Sequence, residues 1–255
     1  MNEKETIKDV AETVANHLPK TVAAADGVLS SIVGILDVLL TPFQALKVYK
    51  DAKLDDFKRG LIEKTNKIPE DRRKTEVDLN IVGPALEALK YTIMEDDLRE
   101  MFENLLASSI DKQSVVFPSF VDIIRQLSSD EAKLLKYLSD HGDGYPLIEL
   151  RLLYPDKKSY NIVLSNFSDI GYGVVERPDL LEAYLNDLER FGLIVMRDGV
   201  YLRDESQYQR LENHEVVQNA KSLYQNSARK METRKKSFSI THYGQSFITS
   251  CVISK

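Results

Sequence analysis

The sequence predicts a mainly α chain: an α-helical N-terminal region followed by a winged-helix-like α+β C-terminal region. Three observations carry this. Residues 1–127 hold helix-spaced apolar positions with little β-rich sequence, the texture changes after Gly142, and beyond it β-like runs alternate with helical ones. At 255 residues the chain exceeds one typical domain. We therefore expect two regions, residues 1–127 and 128–255.

Hydrophobic residues make up 43% of the chain and charged ones 29%, the balance of a globular protein, with a formal net charge of -6. That charge argues against a general nucleic-acid binder. It is unevenly spread: residues 1–126 carry 17 basic and 22 acidic side chains, whereas residues 216–255 carry 7 basic and 1 acidic. A single cysteine, Cys251, excludes an internal disulfide and fits a reducing, cytoplasmic compartment. The start "MNEKETIKDV" lacks the basic and apolar parts of a signal peptide.

The most apolar segment is "TVAAADGVLSSIVGILDVLLTPFQALKVY". Asp26, Asp37 and Pro42 interrupt it, and Val28 to Leu40 falls short of the roughly 20 residues a membrane span needs. Val28, Ile32, Ile35, Leu36 and Leu39 recur at helical spacing. They form either a buried amphipathic helix or, given the small residues Gly27, Ser30, Ser31 and Gly34, a helix able to contact membrane reversibly or to support a homo-oligomer.

The next segment is charged, with Leu54, Phe57, Leu61 and Ile62 on one stripe, and its helix should end near Lys67, ahead of Pro69. "EVDLNIV" reads as an extended connection into a helix opened by Gly83 and Pro84. In the helix after it, Leu98, Met101, Phe102 and Leu105 share a face, which puts Glu95, Asp96 and Asp97 in its first turn. Acids there complement unpaired amides and the positive end of the helix dipole, so no metal or catalytic role is needed for them. "PSFVDIIRQL" is a short helix, and Ser128 with Glu131 forms a capping box before "EAKLLKYLSDHG".

After Gly142, "YPLIELRLLYP" reads as a strand and "PDLLEAYLNDLERFGLI" as a helix. "LIVMRDGVYLRD" reads as a hairpin about Asp198-Gly199. A polar helix from about Glu205 to Ser227 follows, then the basic run "RKMETRKK", then a strand and a final helix.

"VGPALEALKYTIMEDDLREMFENLLASSID" with "FPSFVDIIRQLSSDEAKLLKYL" resembles the signature of the Abi-alpha family of bacterial abortive-infection proteins. "KIPEDR", "YPLIELR", "SNFSDIG", "YLNDLERFGLIVMRDGVYL", "LENHE" and "THYGQSFITSCV" follow in the order expected of that family, from about residue 35 onward. The resemblance implies a role in phage resistance, through an unidentified phage or host macromolecule, and carries no catalytic residue across.

No phosphate-binding, dinucleotide, hydrolase or metal motif occurs, and no two of His17, His141, His214 and His242 stand at ligand spacing. We expect no cofactor and no catalysis. Arg229, Lys230, Arg234, Lys235 and Lys236 form the candidate partner-binding run: an ordinary solvated wing, or one that contacts nucleic-acid phosphates, an anionic membrane or an acidic protein. The leading expectation is a phage-resistance factor acting by binding or membrane interaction. The alternative is a nucleic-acid- or protein-binding winged-helix regulator without membrane action.

Overall fold

A computed structural model describes residues 27–40, 47–76, 78–142, 144–155 and 158–254. The chain divides into two units: residues 1–132 with 246–255, and residues 133–245. The C-terminal ten residues, assigned from sequence to the second region, thus belong to the first unit.

Unit 1 is helical. Helix α1 is Gly27–Leu40 and α2 is Lys47–Asn66. Leu29, Ile32 and Val33 of α1 are buried, as are Phe57 and Leu61 of α2. Helix α3, Leu79–Thr92, starts a turn earlier than the sequence suggests and holds Pro84 in its interior. The Asp78 side chain caps it by accepting from the Asn80 amide at 3.1 Å, and burial of Ile81 and Val82 pulls the first turn into the core.

Helix α4, Asp96–Ile110, is the centre of the unit. Every residue from Met101 to Asp111 is buried, the polar ones included. A helix buried all round needs partners for its polar groups, and α4 finds them for the Asn104 amide nitrogen and the Ser108 hydroxyl, whereas Asn104 Oδ1 is buried without one. Asn104 Nδ2 donates to Cys251 O at 3.0 Å and Ser108 Oγ to Ser250 O at 2.9 Å, in a π-helical turn formed by Ile248–Val252. Ser250 Oγ in turn donates to Val115 O at 2.8 Å. At the end of α4 the buried Asp111 carboxylate accepts from Arg72 and from the Gln113 amide, which closes the loop after the helix. Helix α5 is Ser119–Gln126. The capping box forms as expected: Ser128 N donates to Glu131 Oε2 at 2.7 Å and Glu131 N to Ser128 Oγ at 3.3 Å, opening helix α6, Ser129–Asp140.

Unit 2 carries an antiparallel sheet of β1 (Tyr145–Leu153), β2 (Tyr160–Phe167), β3 (Ile194–Asp198) and β4 (Met231–Ile240), in the order β2-β1-β4-β3. Helix α7, Leu181–Arg190, precedes β3. One sheet face packs on α8 (Glu205–Glu212) and α9 (Glu215–Ser222) through Ile148, Leu150, Phe167, Tyr208, Leu211 and Val217. On the other face Tyr145 stacks on Phe238 with centroids 5.0 Å apart. The final helix, α10, is His242–Phe247. A side chain at Gly244 would run into the Leu193 carbonyl, which lies 2.8 Å (carbonyl carbon) from an ideal Cβ, so only glycine lets α10 approach β3.

Three sequence expectations change here. The turn at Asp198-Gly199 exists, but β3 pairs with β4, from Ile194↔Ile240 to Asp198↔Lys236, and no strand forms at 200–203. Leu202 instead packs against the core, and Ser237 Oγ donates to Val200 O at 2.8 Å, holding the segment off the ladder. The polar helix is two helices, broken where extended His214 caps α9 through Val216 N at 3.3 Å. The break lets Leu211 and Val217 both reach the sheet. The basic run is divided: Arg234, Lys235 and Lys236 lie within β4, an interior strand, while Arg229 and Lys230 precede it.

Candidate functional site

A polar cleft of about 320 Å³ lies between α2 and α4 in unit 1, with Ser254 among its lining residues. Lys64 Nζ sits 3.6 Å from Glu100 and 3.6 Å from Glu103, and donates to Ser254 Oγ at 3.3 Å. Arg99 Nε lies 4.0 Å from Glu103 on the next turn of α4. Burial pushes the Glu103 carboxyl up to about 7, against the lowering effect of the Lys64 and Arg99 charges. A carboxyl that changes charge near neutral pH beside an ammonium group can exchange a proton or hold a polar group.

At the cleft mouth, Asp96 accepts from Lys53 at 2.7 Å and Arg99 at 2.6 Å, bonds that hold its carboxyl below the usual range. Glu95 precedes the helix and accepts from Ser129 Oγ at 2.7 Å. Asp97 begins the helix beside Asp96. Thus the three acids open α4 as the sequence suggests, while the charged groups that converge are Lys64, Arg99 and Glu103, which pattern reading passed over. The available signal was phase: Glu103 follows Phe102 and stands four residues after Arg99, on a helix whose inner face is otherwise apolar. Among the described residues no group of three histidine, cysteine or acidic side chains could hold a metal ion.

The candidate basic residues are dispersed by the β4 pleat. Lys235 points toward α8, pairs with Glu205 and lies 5.5 Å over the Tyr208 ring. Lys236 points to the opposite face, 3.6 Å from Glu149 and 3.4 Å from Asp198, and donates to Asn166 Oδ1 at 2.7 Å. Arg234 lies 3.9 Å from Asp198. Glu149 also pairs with Arg151, both of them buried. Arg229 and Lys230 stand just ahead of β4, outside this acid-matched ladder.

In α1, Ile32 is buried together with Leu29 and Val33, whereas the side chains of Val28, Ile35, Leu36 and Leu39 lie outside the described residues. Among the described residues no helix is long and apolar enough to cross a membrane. His17 lies outside the described residues. His141 stacks on Tyr137 with centroids 4.0 Å apart, and His214 serves as a cap. The Cys251 thiol is buried, and burial pushes its pKa well up.

Comparison with known proteins adds three findings. The sequence model of one family, described as Abortive infection alpha, matches residues 49–251. A solved structure of an uncharacterized protein from the hydrocarbon-degrading marine bacterium Alcanivorax borkumensis SK2 is 23% identical, covering 51% of this chain and 89% of that one, with a TM-score of 0.37. A search of curated proteins returns no match. The residues that build the centre of unit 1 and the sheet of unit 2 fall within the family match, and the chain belongs to the abortive infection alpha family.

Proposed function

We propose that the protein is a phage-resistance factor that acts by binding a phage or host macromolecule, without catalysis and without inserting into the membrane. The family membership supports the biological role. The observation that carries the mechanism is the burial of Leu29, Ile32 and Val33: these apolar side chains of α1 already pack inside unit 1. Releasing them into lipid would first require opening that core, at about 1.5 to 3 kcal/mol for each large aliphatic side chain exposed. A binding role falls to unit 2. There α6, β1, α7, β3 and β4 follow one another with β1, β4 and β3 adjacent, an order that supports a winged-helix-like description with β2 and the α8–α9 pair as additions. Such a fold serves protein and nucleic-acid contacts alike.

The test follows infected cells that express the protein, recording growth, membrane potential and fractionation. Growth arrest should precede any depolarisation, and the protein should remain in the soluble fraction. Depolarisation that precedes arrest, with the protein moving into the membrane fraction, would overturn the reading.

A further inference from the structure

The β1–β2 hairpin and the residues leading into β4 meet at one end of the unit 2 sheet. The Leu153 amide donates to Lys230 O and the Tyr154 amide to Ser159 O, each at 2.9 Å. Two tyrosines stand out from this end, Tyr154 at 41% and Tyr160 at 43% exposure, on opposite faces of the ladder by their register, so that a strand reaching both passes around the end of the sheet. Each carries a guanidinium on its ring: Arg229 lies 4.8 Å from the Tyr154 centroid and Arg151 lies 4.1 Å from that of Tyr160. Arg229 also donates to Asn161 Oδ1 at 3.1 Å, which ties the basic residue to β2. Lys158 and Lys230 are exposed here. Among the described residues of this corner Glu232 supplies an acid, opposite Arg151 in the ladder.

We propose that this corner binds single-stranded nucleic acid, with Tyr154 and Tyr160 as stacking platforms and Lys158, Arg229 and Lys230 as phosphate contacts. The argument rests on the binding-based reading above and gives its partner a chemistry. Exposed aromatic rings interleaved with basic side chains suit a strand whose bases are unstacked, because every base offers a flat face to a ring or a guanidinium. A duplex hides those faces. The corner also differs from the rest of β4, where Arg234, Lys235 and Lys236 each face an acid and leave little positive field for phosphates. On a chain with formal net charge -6, such a local basic and aromatic end is what would draw an anionic strand to one place.

Fluorescence anisotropy of the full chain with labelled oligo(dT) and oligo(rU) of about 15 nucleotides, and with a duplex of the same length, tests this. The single strands should bind at least about tenfold more tightly than the duplex, and Tyr154→Ala or Tyr160→Ala should each weaken binding about tenfold. Tyr154→Phe and Tyr160→Phe keep the ring and should retain binding, which separates stacking from misfolding. Three phosphate contacts predict a log–log salt slope of about -2 for a single strand, and Arg229→Gln with Lys230→Gln should reduce its size by about 1.4. No binding at low salt would overturn the proposal. So would equal affinity for duplex with no effect of either alanine, or equal affinity for polyglutamate or anionic vesicles. Each of those outcomes leaves the order of growth arrest and depolarisation untouched, so this proposal can fail while the binding-based reading stands.

Discussion

Lys64 Nζ lies 3.6 Å from Glu103 Oε2, and both side chains are 9% exposed. At that separation the pair is an ion contact rather than a tight hydrogen bond, and the lysine is shared with Glu100 and Ser254. The Coulomb attraction does not offset the desolvation of the carboxylate, which is why its pKa rises rather than falls.

The sign of the pH effect follows. Glu103 titrates near 4.5 when unfolded and about 7 when folded. Between those values the folded state holds the extra proton, so stability is full below the lower value and falls as pH rises through the upper one. After allowance for solvent screening, the loss should be about 1 to 2 kcal/mol. Glu103→Gln imitates the protonated form. Urea unfolding should therefore show the variant equal to wild type near the acidic end of the window, and more stable by about that amount above its neutral end. A wild type whose stability rises between the two values would contradict this.

Gly60 faces the same carboxylate. An ideal Cβ there would collide with Glu103 Oε2 and lie 2.9 Å from Oε1. Alanine in a helix normally stabilises by about 0.5 to 1 kcal/mol over glycine. In the wild-type background Gly60→Ala should instead destabilise, by about 1 to 2 kcal/mol, because the carboxylate must leave Lys64 to make room. In a Glu103→Ala background the ordinary gain should return. A double-mutant cycle by urea denaturation measures this coupling, and simple additivity of the two changes would refute the contact.

Local signals in the sequence were read correctly where the physics is local. The Ser128–Glu131 capping box, the acids that open α4 and the apolar spacing of Phe57 with Leu61 all depend on neighbours within two turns. Tertiary contacts hid the rest. The run from Arg234 to Lys236 looks like solvated surface, yet it forms a strand because Glu149, Asp198 and Glu205 come from elsewhere to meet its charges. The strand β2, "YNIVLSNF", gives little alternation and acquires its identity from pairing with β1. The charged cleft escaped for the same reason, since Lys64 and Glu103 are far apart in the chain and each alone resembles an ordinary helix-surface residue. Chemistry at the hairpin corner was half visible: Arg229 and Lys230 stood out, but Tyr154 and Tyr160 became neighbours of theirs only through the ladder.

Glu95, Asp96 and Asp97 should contribute stability but not activity. Replacing all three with asparagine removes the Glu95 contact to Ser129 and the Asp96 contacts to Lys53 and Arg99. Asp96 is 68% exposed, so its ion pairs are weak and the combined cost should be about 1 to 2 kcal/mol. Because its folded pKa is lowered, the Asp96 share is present above the ordinary carboxylate range and fades as pH falls through the lower folded value. The folded triple variant should still protect cells in a plaque assay. A folded variant without protection would assign these acids a functional role.

The last prediction concerns how α4 holds the C-terminal turn. Asn104 Nδ2 donates to Cys251 O at 3.0 Å and approaches Val252 O at 3.4 Å, in a site with no exposure to water. Asn104→Ala leaves these buried carbonyls without their donor, which should cost about 1 to 3 kcal/mol. Ser108→Ala removes the bond to Ser250 O and should cost about 1 kcal/mol. Asn104→Asp should be worse than alanine, because a carboxylate would face two carbonyl oxygens with nothing to donate. Cys251 reports on the same region. Its buried thiol is held protonated, so a thiol reagent can reach it only when the turn Ile248–Val252 opens. If Asn104 holds that turn locally, native-state labelling of Cys251 should accelerate about tenfold for each 1.4 kcal/mol lost. Global unfolding monitored by urea should shift no further than that loss requires. Faster labelling in Asn104→Ala, partly restored by Asn104→Gln, would establish the clamp. An unchanged labelling rate beside a lowered urea midpoint would mean that the turn opens only when all of unit 1 unfolds.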